Sequence, residues 1–294
     1  MMKFGSVLTA MITPFDQKGN IDFSQTTNLV EHLLSNGTDG LVIAGTTGES
    51  PTLSHEEKLQ LFKHVVEIVD KRVPVIAGTG SNNTAASIAL TKEAEDIGVD
   101  AAMLVAPYYN KPDQRGLFAH FAAIANETSL PIILYNIPGR SVVKMDADTI
   151  IALSEIPNIV SVKEASGDLD QAAEIIAKTA DDFSVYSGDD GLTLPMMAIG
   201  GDGVISVASH VIGNEMQSML KAFRAGKVDE AAAIHRQLLP VMKGLFFAPS
   251  PTPVKAALRM QGIETGGVRL PLVELNQDQL AQLEKIVGKY VYSK

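Results

Sequence analysis

The chain has 294 residues, 46% of them hydrophobic, which is enough for a large apolar core. With 24 Lys+Arg against 34 Asp+Glu its formal net charge is −10, and no basic stripe interrupts the pattern, which argues against nucleic acid as a partner. There is no cysteine, so disulfides and thiolate metal sites are excluded.

The N-terminal Met1-Met2-Lys3-Phe4-Gly5 carries no charged-then-apolar targeting pattern, and no apolar run approaches the ~18 residues needed to span a bilayer. A soluble, cytoplasmic protein is therefore expected. Val7–Ile12 reads as a strand stopped by Thr13-Pro14, and Asp22 caps a helix that runs to about Ser35. Leu41–Ala44 is a second strand, followed by the turn Gly45-Thr46-Thr47-Gly48-Glu49. Ser54 with Glu57 forms a capping box for a helix that ends near Asp70. Pro74–Ala77 is a third strand, with a helix from Ala85 to Ile97 stopped by Gly98.

Ala101–Ala106 is a fourth strand, leaving through Pro107-Tyr108-Tyr109-Asn110-Lys111-Pro112 into a helix over about Gln114–Glu127. Pro131–Leu134 is a fifth, leading to Tyr135-Asn136-Ile137-Pro138-Gly139-Arg140 and a helix near Asp146–Leu153. Ile159–Glu164 is a sixth, then a helix over Asp168–Thr179, a seventh strand at Phe183–Ser187, and a helix over Leu192–Ile199. Gly203–Val207 is the eighth strand and a helix near Asn214–Arg224 follows. Eight strand–helix alternations point to a (β/α)8 TIM barrel, with an open doubly wound sheet as the alternative. The tail has no strand and reads as three helices, Asp229–Phe247, Pro253–Gln261 and Gln277–Val287. The expected division is a catalytic barrel over residues 1–226 and a helical bundle over 227–294.

In such a barrel the chemistry gathers at the C-terminal strand ends. Those ends supply Thr46 and Thr47, Tyr108 and Tyr109, Tyr135 and Arg140, Lys163, Gly188 with Asp189 and Asp190, and Ile205. Lys163 closes a strand rich in β-branched residues. Burial there disfavours the charged ammonium, and an uncharged lysine is a nucleophile for carbonyl carbon. The competing reading is a lysine that reaches from the strand end into water. The clustering of hydroxyls and charges at the same end favours the nucleophile.

The Gly45–Gly48 turn offers backbone N–H groups and two hydroxyls, a nest for an anion. The adjacent Glu49 argues for a single carboxylate over a phosphate. Gly78-Thr79-Gly80 lacks the third glycine of a dinucleotide fingerprint, and the six histidines are scattered without metal-ligand spacing. No cofactor and no metal is expected. Tyr135 suits proton relay, and Arg140, beyond a Pro-Gly turn, suits a second carboxylate at the rim. Tyr108 and Tyr109 are consecutive, so in extended chain they face opposite ways and at most one serves its own site.

Five motifs in order, Gly45-Thr46-Thr47-Gly48-Glu49-Ser50, Pro107-Tyr108-Tyr109-Asn110, Tyr135-Asn136-Ile137-Pro138-Gly139-Arg140, Val162-Lys163-Glu164 and Gly203-Val204-Ile205-Ser206-Val207, resemble the dihydrodipicolinate synthase family. The resemblance continues through Pro251-Thr252-Pro253-Val254-Lys255 and Val268-Arg269-Leu270-Pro271, so it spans the chain. It implies a lysine Schiff-base enzyme condensing pyruvate with L-aspartate 4-semialdehyde in lysine and diaminopimelate biosynthesis. By the same resemblance Lys163 carries the Schiff base and Thr46 and Thr47 hold the pyruvate carboxylate. Tyr135, Thr46 and a neighbouring subunit's copy of Tyr109 relay protons. Arg140 receives the semialdehyde carboxylate, and Gly188 and the Ile205 carbonyl line the pocket. A homotetramer built as a dimer of dimers is implied, with a dimer as the smaller option.

Sibling aldolases, among them sialate lyases, share the barrel, lysine and tyrosine, but Arg140 beside Thr46-Thr47 favours the synthase. A barrel that binds pyruvate without turnover is the rival of another class. Ser50, His55, Asn82 and Tyr108 match positions that line the effector cavity of lysine-inhibited relatives. The acidic position there is Ala86 in this chain, Lys58 stands where a histidine is found, and Pro51 replaces a small residue. Weak or absent inhibition by lysine is expected.

Overall fold

The computed structural model describes residues 4–291. Eight parallel strands close into a barrel in sequence order: β1 (Val7–Ala10), β2 (Gly40–Ile43), β3 (Val75–Gly78), β4 (Ala101–Val105), β5 (Ile132–Asn136), β6 (Ile159–Glu164), β7 (Ser184–Ser187) and β8 (Gly203–Ser206). Pairing of Leu8 with Ile205 joins β8 to β1 and completes the ring, which excludes the open sheet.

The intervening helices are α1 (Phe23–Ser35), α2 (His55–Val69), α3 (Thr84–Ile97), α4 (Gln114–Ala125), α5 (Pro138–Ser141), α6 (Ala147–Ser154), α7 (Leu169–Lys178), α8 (Thr193–Ala198) and α9 (Ser209–Arg224). Then come α10 (Val228–Gly244), α11 (Thr252–Met260) and α12 (Gln277–Val291). Side-chain caps fix several starts. Asp22 accepts from the Gln25 N–H, Asn83 from Ala86, Asp113 from Gly116 and Asp168 from Gln171. Ser54 and Glu57 form the expected reciprocal box.

Two elements differ from expectation. The loop after β5 folds into the short helix α5, opened by Pro138, whose fixed φ suits a first helical position. Helix α9 begins at Ser209, five residues earlier than its apolar pattern suggests, because Ile212 (φ −127°, ψ 33°) kinks it and breaks the periodicity. Gly213 beside the kink has no room for a side chain, since a Cβ there would lie 2.0 Å from the Asn36 carbonyl oxygen.

Leu8, Val42, Ile76, Ala101, Ile133 and Tyr186 fill the barrel interior. The Tyr186 hydroxyl donates to the Gly5 carbonyl at 2.8 Å near the N-terminal end. Leu238, Val241, Val254, Leu283 and Val287 of the last three helices share one apolar core with Leu29, Leu61 and Met216 of α1, α2 and α9. Among the described residues no helix is long and apolar enough to cross a membrane.

Candidate active site

Strand alternation sorts β5 and β6 into two layers. Tyr135 pairs in register with Lys163, and Asn136 with Glu164. The first pair points into the barrel and the second toward the surrounding helices. Lys163 and Tyr135 are 5% and 4% exposed, and the lysine Nζ lies 4.2 Å from the centroid of the Tyr135 ring.

On the outer face, the buried Glu164 carboxylate accepts from Asn136 Nδ2 (2.9 Å), Gln171 Nε2 (3.1 Å) and the Ser166 N–H (2.7 Å). Asn136 also exchanges two hydrogen bonds with the Met145 backbone. Bonds to a charged acceptor contribute about 1.5–3 kcal/mol each, so this network fixes both strand ends and the side chains facing inward from them. The family motifs contain Asn136 and Glu164, but their joint role depends on pairing across the sheet.

Gly188, at the end of β7, abuts the lysine. A Cβ there would sit 3.1 Å from Lys163 Cε and 2.5 Å from Ala165 Cβ, so a larger residue displaces the lysine side chain. Ile205 of β8 is buried in the barrel interior with Tyr135 and Tyr186.

A cavity of about 390 Å³ opens over this end of the barrel. Thr46, Tyr135 and Arg140 line it together, with Met103 and Val105 of β4 as apolar wall and Tyr108 and Lys58 toward the outside. Arg140 projects from α5 and is exposed. Thr47 is buried in the turn and does not line the cavity. The turn itself is held by Thr13 Oγ1 donating to the Gly48 carbonyl at 2.7 Å, and by Ser50 N–H donating to Gly45 at 3.2 Å. Gly78 lies directly beneath, where a Cβ would come within 2.5 Å of the Ala44 carbonyl oxygen. Gly78 is thus the seat of the turn, whereas Gly80 gives close approach to β4, where a Cβ would meet the Val105 backbone nitrogen at 2.5 Å.

Glu49 has a different task from the one its sequence position suggests. Its buried carboxylate pairs with Lys255 Nζ at 2.7 Å and accepts the Arg269 N–H at 2.9 Å. The charge is compensated from behind, so it does not select between anions at the turn.

Tyr108 and Tyr109 diverge as expected, although by another route. Tyr109 adopts a left-handed φ of 72°, and the chain turns there instead of running extended. Tyr108 lines the cavity, whereas Tyr109 is 90% exposed and lies outside it. The structure therefore brings Lys163, Tyr135, Thr46, Gly188 and Arg140 to one barrel end and leaves Tyr109 apart.

Comparison with known proteins agrees along the whole length. The chain matches the dihydrodipicolinate synthetase family over residues 3–290. It is 63% identical to 4-hydroxy-tetrahydrodipicolinate synthase 2 of Halalkalibacterium halodurans, over 97% of this chain and 98% of the relative. It is 59% identical to the Bacillus subtilis 4-hydroxy-tetrahydrodipicolinate synthase, over 98% and 100%. The crystal structure of a Bacillus anthracis dihydrodipicolinate synthase superposes with a TM-score of 0.97 at 61% identity, covering 98% of this chain and 99% of that one. A dihydrodipicolinate synthase from Cyanidioschyzon merolae, 47% identical with a TM-score of 0.95 over 96% and 97%, was solved with lysine bound.

Proposed function

Because this chain belongs to the dihydrodipicolinate synthetase family, we propose that Lys163 is the nucleophile with which it condenses pyruvate and L-aspartate 4-semialdehyde. The activity is that of a 4-hydroxy-tetrahydrodipicolinate synthase, a lyase of the aldolase type in lysine and diaminopimelate biosynthesis. The observation that carries the residue assignment is the buried Lys163–Tyr135 pair beside a cavity that also holds Thr46 and Arg140.

In this reading the Lys163 amine adds to C2 of pyruvate, and the resulting carbinolamine loses water to give an iminium. Loss of a proton from C3 gives an enamine, whose C3 forms the new carbon–carbon bond to the aldehyde carbon. The aldehyde oxygen takes a proton and becomes the hydroxyl. Attack of the semialdehyde amine on C2 then closes the ring and returns Lys163 as a free amine. Each of these steps moves a proton, and Tyr135 and Thr46 are the hydroxyls lining the adjoining cavity.

The Thr46-Thr47 turn receives the carboxylate of pyruvate through N–H and hydroxyl donors. Arg140, exposed at the rim, receives the carboxylate of the second substrate. Tyr109 completes the relay of a neighbouring subunit. A large aromatic side chain 90% exposed on a left-handed backbone supports a role at an interface. The assembly we propose is a tetramer arranged as a dimer of dimers. A coupled assay with both substrates tests the whole reading: turnover that requires the two together supports it, and cleavage of a sialate in their place contradicts it.

A further inference from the structure

The Gly45–Gly48 turn is tied to the far end of the chain. Lys255 on α11 lies 206 residues from Glu49, yet its Nζ meets the Glu49 carboxylate at 2.7 Å, with side-chain exposures of 0% and 1%. Lys255 Nζ also donates to the Gly267 carbonyl at 2.7 Å. The other Glu49 oxygen accepts the Arg269 N–H at 2.9 Å. The Phe15 ring lies between the two cations, 4.2 Å from Lys255 Nζ and 4.4 Å from Arg269 Cζ. Arg269 continues the tie to α2 through Glu57 and to the turn's exit through the Thr52 carbonyl at 2.7 Å.

Glu49 is also backbone-locked to the turn. It holds a left-handed φ of 57°, and its N–H donates to the Thr46 carbonyl at 3.1 Å. A displacement of its carboxylate is therefore passed to Thr46 through one hydrogen-bonded turn. Stability alone does not explain such a pair, since apolar residues of similar volume commonly replace a buried ion pair at no cost. What a buried pair fixes well is position. Burial lowers the Lys255 pKa to about 8, against the pull of Glu49 and of Glu274 and with Arg259 adding to the shift. The ammonium is thus held at a cost and remains paired at neutral pH.

We propose that Lys255 is a positioning residue for the 2-oxo acid. Acting through Glu49, it sets the Thr46-Thr47 turn, so that the C-terminal helices determine how tightly the pyruvate carboxylate is held. This rests on the reading that the turn receives that carboxylate.

The test compares the wild-type protein with Glu49→Asp and with Glu49→Gln/Lys255→Met. Glu49→Asp keeps the charges balanced and draws the turn back by one methylene. The double variant removes both charges together. The readout is the pyruvate concentration that gives half-maximal borohydride trapping, with the thermal midpoint and the semialdehyde KM measured in parallel. We expect the half-saturating pyruvate concentration to rise roughly tenfold in both variants, the equivalent of one weakened charge-assisted contact. The semialdehyde KM should stay within about twofold, because Arg140 is carried by α5. A purely structural pair would lower the midpoint and leave half-saturation where it was. That result in Glu49→Asp alone overturns the proposal, whether or not the double variant folds. Failure of pyruvate to be trapped in the wild-type protein would overturn the pyruvate reading and this proposal together. Normal and equally tight trapping in wild type and variants overturns only this one.

Discussion

The amine of Lys163 sits 4.2 Å from the centre of the Tyr135 ring because the two residues are register partners on adjacent strands. Their outer neighbours, Asn136 and Glu164, are register partners too, and a 2.9 Å hydrogen bond joins them. One strand pairing therefore fixes both the inner Lys163–Tyr135 layer and the clamp behind it, and neither shifts without the other. The Tyr135 ring covers one side of the amine and itself lines the cavity.

Arg140→Ala should separate the two substrates. The guanidinium's residue lines the cavity from α5, and Thr46 lines it from the turn that follows β2. Pyruvate trapping should survive, while kcat/KM for the semialdehyde falls roughly a hundredfold, from two charge-assisted hydrogen bonds of about 1.5 kcal/mol each. Loss of the pyruvate adduct in a folded Arg140→Ala protein would show that this division of labour is mistaken.

Tyr109 should act across a subunit boundary. Its ring is 90% exposed and outside the cavity of its own barrel. Two inactive variants, Tyr109→Phe and Lys163→Ala, should recover part of the activity when co-assembled. One site in such a mixed pair combines a wild-type Lys163 with a wild-type Tyr109 of the partner chain. Verified mixed oligomers without recovered turnover would count against a shared site.

Much of this was readable in the residues. The eight strands showed as short apolar runs, and Asp22, Ser54, Asp168 and Gly98 marked helix ends because capping is a local interaction. Lys163 stood out because the strand preceding it is apolar and the motif lies at a strand's C-terminal end. What the residues did not display is pairing at a distance. Nothing near Glu49 announces Lys255, and the glycines at 78 and 80 resemble a failed phosphate loop until the turn and the strand β4 that approach them are in view. Tyr109 and Ile212 were obscured for another reason: each adopts backbone angles that its side chain does not signal.

His210 should make the protein acid-sensitive well above the carboxylate range. It is fully buried, its Nδ1–H donates to the Val207 carbonyl at 2.8 Å, and its Nε2 accepts the Ile12 N–H at 3.2 Å. Burial lowers its pKa from 6.5 to about 4. The unfolded chain therefore binds the proton first as pH falls, and stability drains away through the window from 6.5 down to 4. At 1.36 kcal/mol per pH unit the full effect is on the order of 3 kcal/mol. Urea unfolding at pH 7 and pH 5 should show this slope, and His210→Gln should reduce it, the remainder coming from His120, whose pKa burial also lowers to about 4. An unchanged slope in the variant would assign the sensitivity elsewhere.

Lysine should inhibit weakly or not at all. Ser50, Pro51, Tyr108 and Lys58 line the outer part of the cavity, and burial lowers the Lys58 pKa. Among the described residues no carboxylate pairs with Lys58, and Ala86 supplies only a methyl group at the start of α3. His55 is occupied by Glu93 at 2.5 Å. With the Glu93 carboxylate engaged by His55 and none contributed at Ala86, an entering ammonium forgoes one charge-assisted contact, a loss of about 1.5–3 kcal/mol or roughly ten- to a hundredfold in affinity. The measurement is a titration of activity with lysine at saturating pyruvate. Strong, cooperative inhibition at sub-millimolar lysine would mean the effector binds by contacts these substitutions leave intact.

The most direct measurement is borohydride reduction in the presence of pyruvate, followed by peptide mapping. Three lysines compete as the point of attachment. Lys144 is tied to Asp168 at 2.8 Å, Lys255 is enclosed against Glu49, and Lys163 faces the barrel interior beside Tyr135. One reduced pyruvate should be found per chain, on the peptide carrying Lys163, and Lys163→Ala should abolish it. An adduct on Lys144 or Lys255, or trapping that persists in Lys163→Ala, would contradict the assignment of the nucleophile.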